Sequence, residues 1–226
     1  MLECAETKLT SQTPIFSDAL ATCVQQARKD NIVERLWQRD TSLWSTEEEI
    51  AEKIGNRLGW LDSVERLRPE LEEMAAWVTG AIQDGYREVL LLGMGGSSLC
   101  PLLLSEVFAG QSPALDVHVL DTTDPMTIHR MTQQLNWSKT IVVLASKSGT
   151  TIEALSLYRY CQTQAHEQTQ FVAISDPGTP LVALAKENGF AKCIENPADI
   201  GGRYSALSHF GFFPALCLGV DMHAYL

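Results

Sequence analysis

The sequence predicts an α/β protein: a three-layer α/β/α sandwich on a five-stranded parallel sheet, preceded by a helical N-terminal extension. Two observations carry this. From residue 87 onward, apolar runs too short for helices alternate with stretches of helical period, the pattern of βαβ units whose strands are buried on both faces. Before that point the only regular period is helical. The domain boundaries expected from this change are 1–62 for the extension and 63–226 for the sheet domain.

Residues 1–14 are polar and aperiodic and read as loose, whereas 15–62 read as helical. Ile15, Ala19, Cys23 and Val24 recur at helix spacing. Thr46-Glu47-Glu48-Glu49 fits a capping box, followed by Ile50, Ile54 and Leu58 at i, i+4, i+8, with Gly59 as the expected stop. Pro69 suits the first turn of the next helix, which turns Met74, Trp77, Val78 and Ile82 inward and ends at Gly85. The expected strands are Val89–Leu92, Val117–Leu120, Ile141–Ala145, Phe171–Ile174 and a weaker one at Cys193-Ile194.

Composition narrows the function. Hydrophobic residues make up 45% of the 226, enough for a packed core and not the make-up of a disordered chain. A net charge of −11 argues against nucleic acid as a partner, because a phosphate backbone demands a basic face. It leaves room for a small phosphorylated ligand, which one nest of N–H groups and hydroxyls can hold. No apolar run approaches a membrane span, and the first residues lack the pattern of a secretory leader. The six cysteines form no C-x-x-C pair, so a reduced, cytoplasmic chain without structural zinc is expected.

Parallel sheets bind ligands outside the carboxyl ends of their strands, so the loops that follow the strands matter most. After the first strand comes Gly93-Met94-Gly95-Gly96-Ser97-Ser98-Leu99. Its glycines permit a tight turn and close approach to a ligand, and its hydroxyls open a helix whose N–H groups favour an anion; a plain turn with an N-cap serine reads equally well. After the third strand comes Ser146-Lys147-Ser148-Gly149-Thr150-Thr151, in which four of six residues carry hydroxyls. A helix cap needs one hydroxyl, so this density favours a phosphate. A third segment, Gly201-Gly202-Arg203-Tyr204-Ser205, either projects the Arg203 guanidinium at an oxyanion or holds a surface arginine in a turn.

Gly93-x-Gly95, with Asp121 ending the second strand, partly matches a dinucleotide-binding fingerprint. The last glycine of that motif falls at Ser98, however, and the hydroxyl-rich loop has no role in it. The five histidines show no metal spacing. His118 is expected in a strand, and His129 and His166 in helices. His209, just after the Gly-Gly-Arg segment, is the one to follow. Asp176-Pro177-Gly178-Thr179-Pro180 reads as turn chemistry alone.

Taken in order, the three loops resemble the sugar isomerase (SIS) domain, and more narrowly the phosphoglucose isomerase family. The Gly93–Leu99 loop is similar to that family's first glycine signature, Ser146–Thr151 to its phosphate loop, and Gly201–Ser205 to its arginine signature. The stretch Val33–Asp62, with Gly59-Trp60-Leu61-Asp62, resembles the isomerase part of fused transaldolase/phosphoglucose isomerase proteins.

The resemblance implies a sugar phosphate held by Ser146, Ser148 and Thr151 with the Lys147 backbone. Gly96, Ser97 and Gly202 line the sugar site, and Arg203 stabilises an enediolate. The implied reaction interconverts glucose 6-phosphate and fructose 6-phosphate, without metal or organic cofactor, in a homodimer. The sequence also departs from the family. The glutamate base, a ring-opening histidine and a lysine follow the arginine signature in the family, whereas this chain ends at Leu226. Glu153, Glu195 and His209 do not match those residues, so the first SIS half is expected, either as part of an isomerase or as a binding module without catalysis. Gly149 replaces a bulkier residue common in longer members, and Cys100 stands where glycine is frequent.

Overall fold

A computed structural model describes residues 14–108 and 114–226. The polar N-terminal stretch expected to be loose therefore lies outside the described residues, save Pro14. The chain divides into two compact units, 1–55 and 56–226.

The first unit holds helices α1 (Pro14–Lys29), α2 (Ile32–Trp37) and α3 (Glu48–Gly55), with a 3-10 turn at Thr41–Leu43. Asp40 caps that turn by accepting from the Ser42 N–H at 3.0 Å and from Arg35 Nε at 2.7 Å. Hydrogen bonds from Ser42 and then Arg35 bring its carboxyl down to about 2. Helix α3 begins at Glu48, and the Ser45 hydroxyl accepts from the Glu47 N–H. The helix ends at Gly55, before the stop expected at Gly59.

The second unit opens with a 3-10 turn at Gly59–Leu61, then α4 (Ser63–Leu67) and α5 (Leu71–Gln83). Pro69 lies in the 3-10 turn that leads into α5, and Gly85 follows its end with φ +91°. The sheet strands are β1 (Glu88–Gly93), β2 (Asp116–Leu120), β3 (Thr140–Ala145), β4 (Gln170–Ser175) and β5 (Lys192–Glu195). Between and after them run α6 (Leu99–Val107), α7 (Pro125–Thr132), α8 (Ile152–Gln164), α9 (Pro180–Glu187), α10 (His209–Cys217) and α11 (Met222–Tyr225). His166 corrects the sequence reading: it lies past the end of α8 in a turn, where its Nδ1 accepts from the Gln168 N–H. Among the described residues, no helix is long and apolar enough to cross a membrane.

All strand pairs are parallel and the order is β2-β1-β3-β4-β5. Alternate strand residues feed two cores. Val89, Leu91, Val119, Ile141 and Val143 pack with Met74 and Val78 of α5, Leu104 of α6 and Phe210, Phe212 and Phe213 of α10. Leu90, Leu92, Val142 and Leu144 pack with Leu157 and Tyr158 of α8, Leu181 of α9 and, half-buried, Ile128 and Met131 of α7. The three layers follow from this alternation, because period-2 side chains leave a strand on opposite faces. The strand order also fixes where a ligand can enter. The chain leaves β1 toward β2 on one side and returns to β3 on the other, which makes the crevice between the carboxyl ends of β1 and β3 the topological switch point.

Candidate functional site

A cavity of about 450 Å³ opens at this switch point. It gathers Gly96 and Ser97 from the loop after β1, Lys147, Ser148 and Thr151 from the loop after β3, and Gly202 from the segment before α10. Six of the eight candidate residues thus share one cavity. Ser146 stands behind it, buried, with its hydroxyl 2.8 Å from Thr151 Oγ1. Arg203 is exposed and is not among the residues that line the cavity.

The glycine loop is shaped by a close backbone approach. A Cβ at Gly96 would overlap the Gly202 carbonyl, and Ser205 Oγ lies 2.5 Å from Gly96 O and 2.8 Å from Gly202 O, sharing one O–H between them. Gly95 takes φ +55°. Ser98 does not cap α6 with its side chain, since its hydroxyl turns back to Gly95 O at 3.1 Å. Thr151, at the N-cap of α8, likewise makes no side-chain cap. The hydroxyls after β3 bond instead to one another, Ser146 with Thr151 and Ser148 with Thr150. The first turn of α8 is therefore left for an incoming acceptor, the arrangement that favours anions at helix N-termini.

Sequence reasoning missed residues on the strand-end loops beside these. Asp176, read above as turn chemistry, lines the cavity and pairs with the Lys147 ammonium. Lys147 Nζ also donates to Ala198 O at 2.8 Å, so it bridges the loops after β3, β4 and β5. Burial raises the Asp176 carboxyl above its ordinary range, against the pull of Lys147. The available signal was its place at the carboxyl end of a strand. Asn56 and Arg57 line the cavity too. Their segment is clamped in place: Leu58 bridges Ile200, and Trp60 stacks on Tyr204 at 5.1 Å. Arg66 holds Asp199 at 2.8 and 3.1 Å. Gly59 serves this clamp rather than a helix stop: its N–H donates to Asp199 O at 2.9 Å, and a Cβ there would push the Asp199 carboxylate from its place on Arg66.

His209 is buried behind the cavity wall. Its backbone N–H donates to Asn196 Oδ1 at 3.2 Å, and its Nε2 lies 3.1 Å from Glu70 Oε2 without the alignment of a hydrogen bond. Burial lowers its pKa, and the Glu70 carboxylate opposes that shift. Asp121, which the dinucleotide reading requires, is exposed and absent from the cavity lining.

The sequence profile of the phosphoglucose isomerase family matches residues 58–226, which takes in the whole cavity except Asn56 and Arg57. The chain belongs to this family. It is 30% identical over 209 residues to the glucose-6-phosphate isomerase of Trichormus variabilis, covering 88% of this chain and 38% of that protein. Against the Thermus thermophilus enzyme the identity is 33% over 184 residues, covering 76% and 42%. A solved hypothetical protein from Thermus thermophilus superposes with a TM-score of 0.73 at 30% identity, covering 93% of this chain and 48% of that one. This phosphoglucose isomerase family chain therefore spans less than half the length of these relatives.

Proposed function

We propose that the chain forms the phosphosugar-binding half of a glucose-6-phosphate isomerase, which interconverts glucose 6-phosphate and fructose 6-phosphate through an enediolate. The observation that carries this is the convergence of the glycine loop and the hydroxyl-rich loop on one cavity at the switch point, inside the span matched by the family. In this reading Ser146, Ser148 and Thr151 and the Lys147 backbone hold the phosphate, which anchors and orients the substrate. Gly96, Ser97 and Gly202 face the sugar. Arg203, exposed and outside the cavity lining, must turn inward to supply fixed positive charge to the developing oxyanion, a contribution worth about 10²–10³ in rate in comparable sites. The reading also takes the protein to be cytoplasmic and a homodimer; sedimentation velocity checks the dimer.

A second reading, binding without turnover, has its own observation. Asp176 is the one carboxylate among the described residues that line the cavity, and it is engaged by Lys147, so no free base for the proton transfer stands there. Calorimetric titration of this chain with fructose 6-phosphate, paired with a coupled isomerase assay, tests both. Binding with turnover supports the isomerase within these residues. Binding alone fits both readings, which then part on whether a second half of a family isomerase added in trans restores turnover: restored turnover selects the isomerase half, and continued inactivity selects the binding module. Absence of binding overturns both.

A further inference from the structure

We propose that Asp176 is a positioning residue that sets the ligand preference of the phosphate loop: by engaging Lys147, it makes the loop favour a phosphate ester over free inorganic phosphate. The inference rests on the phosphate-binding reading above.

Lys147 lies in the hydroxyl-rich loop and lines the cavity, yet its ammonium is turned to Asp176 Oδ2 and Ala198 O. The grip is double, because the Asp176 N–H also donates to Lys147 O at 3.2 Å. Ser175 reinforces it by donating to Ser146 O at 2.7 Å. The Asp176 side chain is only 13% exposed, so the pair is fixed in the cavity wall rather than waving above it. Nearby Asp199 is engaged by Arg66 at 2.8 Å.

The chemical consequence follows from charge. A free ammonium is a point charge that attracts any phosphate dianion alike, ester or inorganic. Paired with a carboxylate it presents no net charge. The loop then offers only directional donors, the hydroxyls of Ser148 and Thr151 and the N–H groups at the start of α8. Those hold an ester and inorganic phosphate alike, and contacts from the sugar at Gly96, Ser97 and Gly202 add affinity that only the ester can gain. Asp176 thereby shifts the source of affinity from the phosphate to the ester's carbon skeleton.

The test is calorimetry on this chain with inorganic phosphate and with fructose 6-phosphate. Asp176→Asn keeps the shape and removes the opposing charge. It should bind inorganic phosphate about fivefold tighter, the scale of one partly screened charge interaction, and the ratio of ester to phosphate affinity should fall. Asp176→Glu should restore the wild-type ratio, and Lys147→Met added to Asp176→Asn should abolish the gain. A purely structural Asp176 predicts the reverse, weaker binding of both ligands in the Asn variant, and that result overturns the proposal, as does an unchanged ratio. If the Asn variant does not fold, Lys147→Met with Asp176→Leu carries the test, since it leaves no buried charge unpaired. Retained fructose 6-phosphate affinity supports the proposal, and loss of about tenfold or more for both ligands means that the ammonium reaches the phosphate and overturns it. Wild-type protein that takes neither ligand removes the phosphate-site reading and this inference together, whereas wild-type binding with an unmoved Asn variant removes this inference alone.

Discussion

Ser148 and Thr151 carry the most direct residue-scale prediction. Hydrogen bonds to a charged phosphate are worth about 1.5–3 kcal/mol each, so Ser148→Ala with Thr151→Ala should weaken fructose 6-phosphate binding by about 10²-fold or more, read by calorimetry. Unchanged affinity would put the phosphate elsewhere. Gly96 is a different case, set by space. Its missing Cβ is what lets the loop after β1 meet the Gly202 backbone, so Gly96→Ala should lower the melting temperature and weaken ligand binding together. At this scale the sequence revealed the residues whose chemistry is dense along the chain, such as the hydroxyl row 146–151. It hid Asp176 and Arg57, because each enters the cavity through folding rather than through a local motif.

At the scale of elements, the five strands and α5 were legible because burial on two faces produces continuous apolar runs and burial on one produces a helical period. Helix α10 was not legible. Eight of its residues, His209 to Ala215 and Cys217, are buried, so it lacks the polar face that gives a helix its period. It also carries Gly211 and Pro214, which read as breakers in a linear sequence. The clamp between residues 58–66 and 198–204 was equally hidden, since its partners lie 133 positions apart at Arg66 and Asp199. Asp199→Asn should lower stability by about 1 kcal/mol, the scale of a partly exposed ion pair, seen as a lower urea midpoint with an unchanged slope.

For the whole molecule, the buried His209 predicts an acid limit. Its native pKa is lowered from 6.5 by burial. Below that value the unfolded chain takes up a proton that the native protein holds less readily, so stability is full above 6.5 and declines as pH falls. Melting temperatures between about pH 7 and pH 5 should fall more steeply in the wild type than in His209→Gln. Glu70 and Lys192 act on the same imidazole in opposite senses, so equal slopes in the two proteins would assign the acid limit to other groups. The bond that closes the cavity, from Ser205 to Gly96, spans 109 residues. A chain emerging from the ribosome exposes its phosphate loop well before the segment that seals the pocket has been made. Ligand present during synthesis therefore meets the phosphate loop before it can meet a complete pocket.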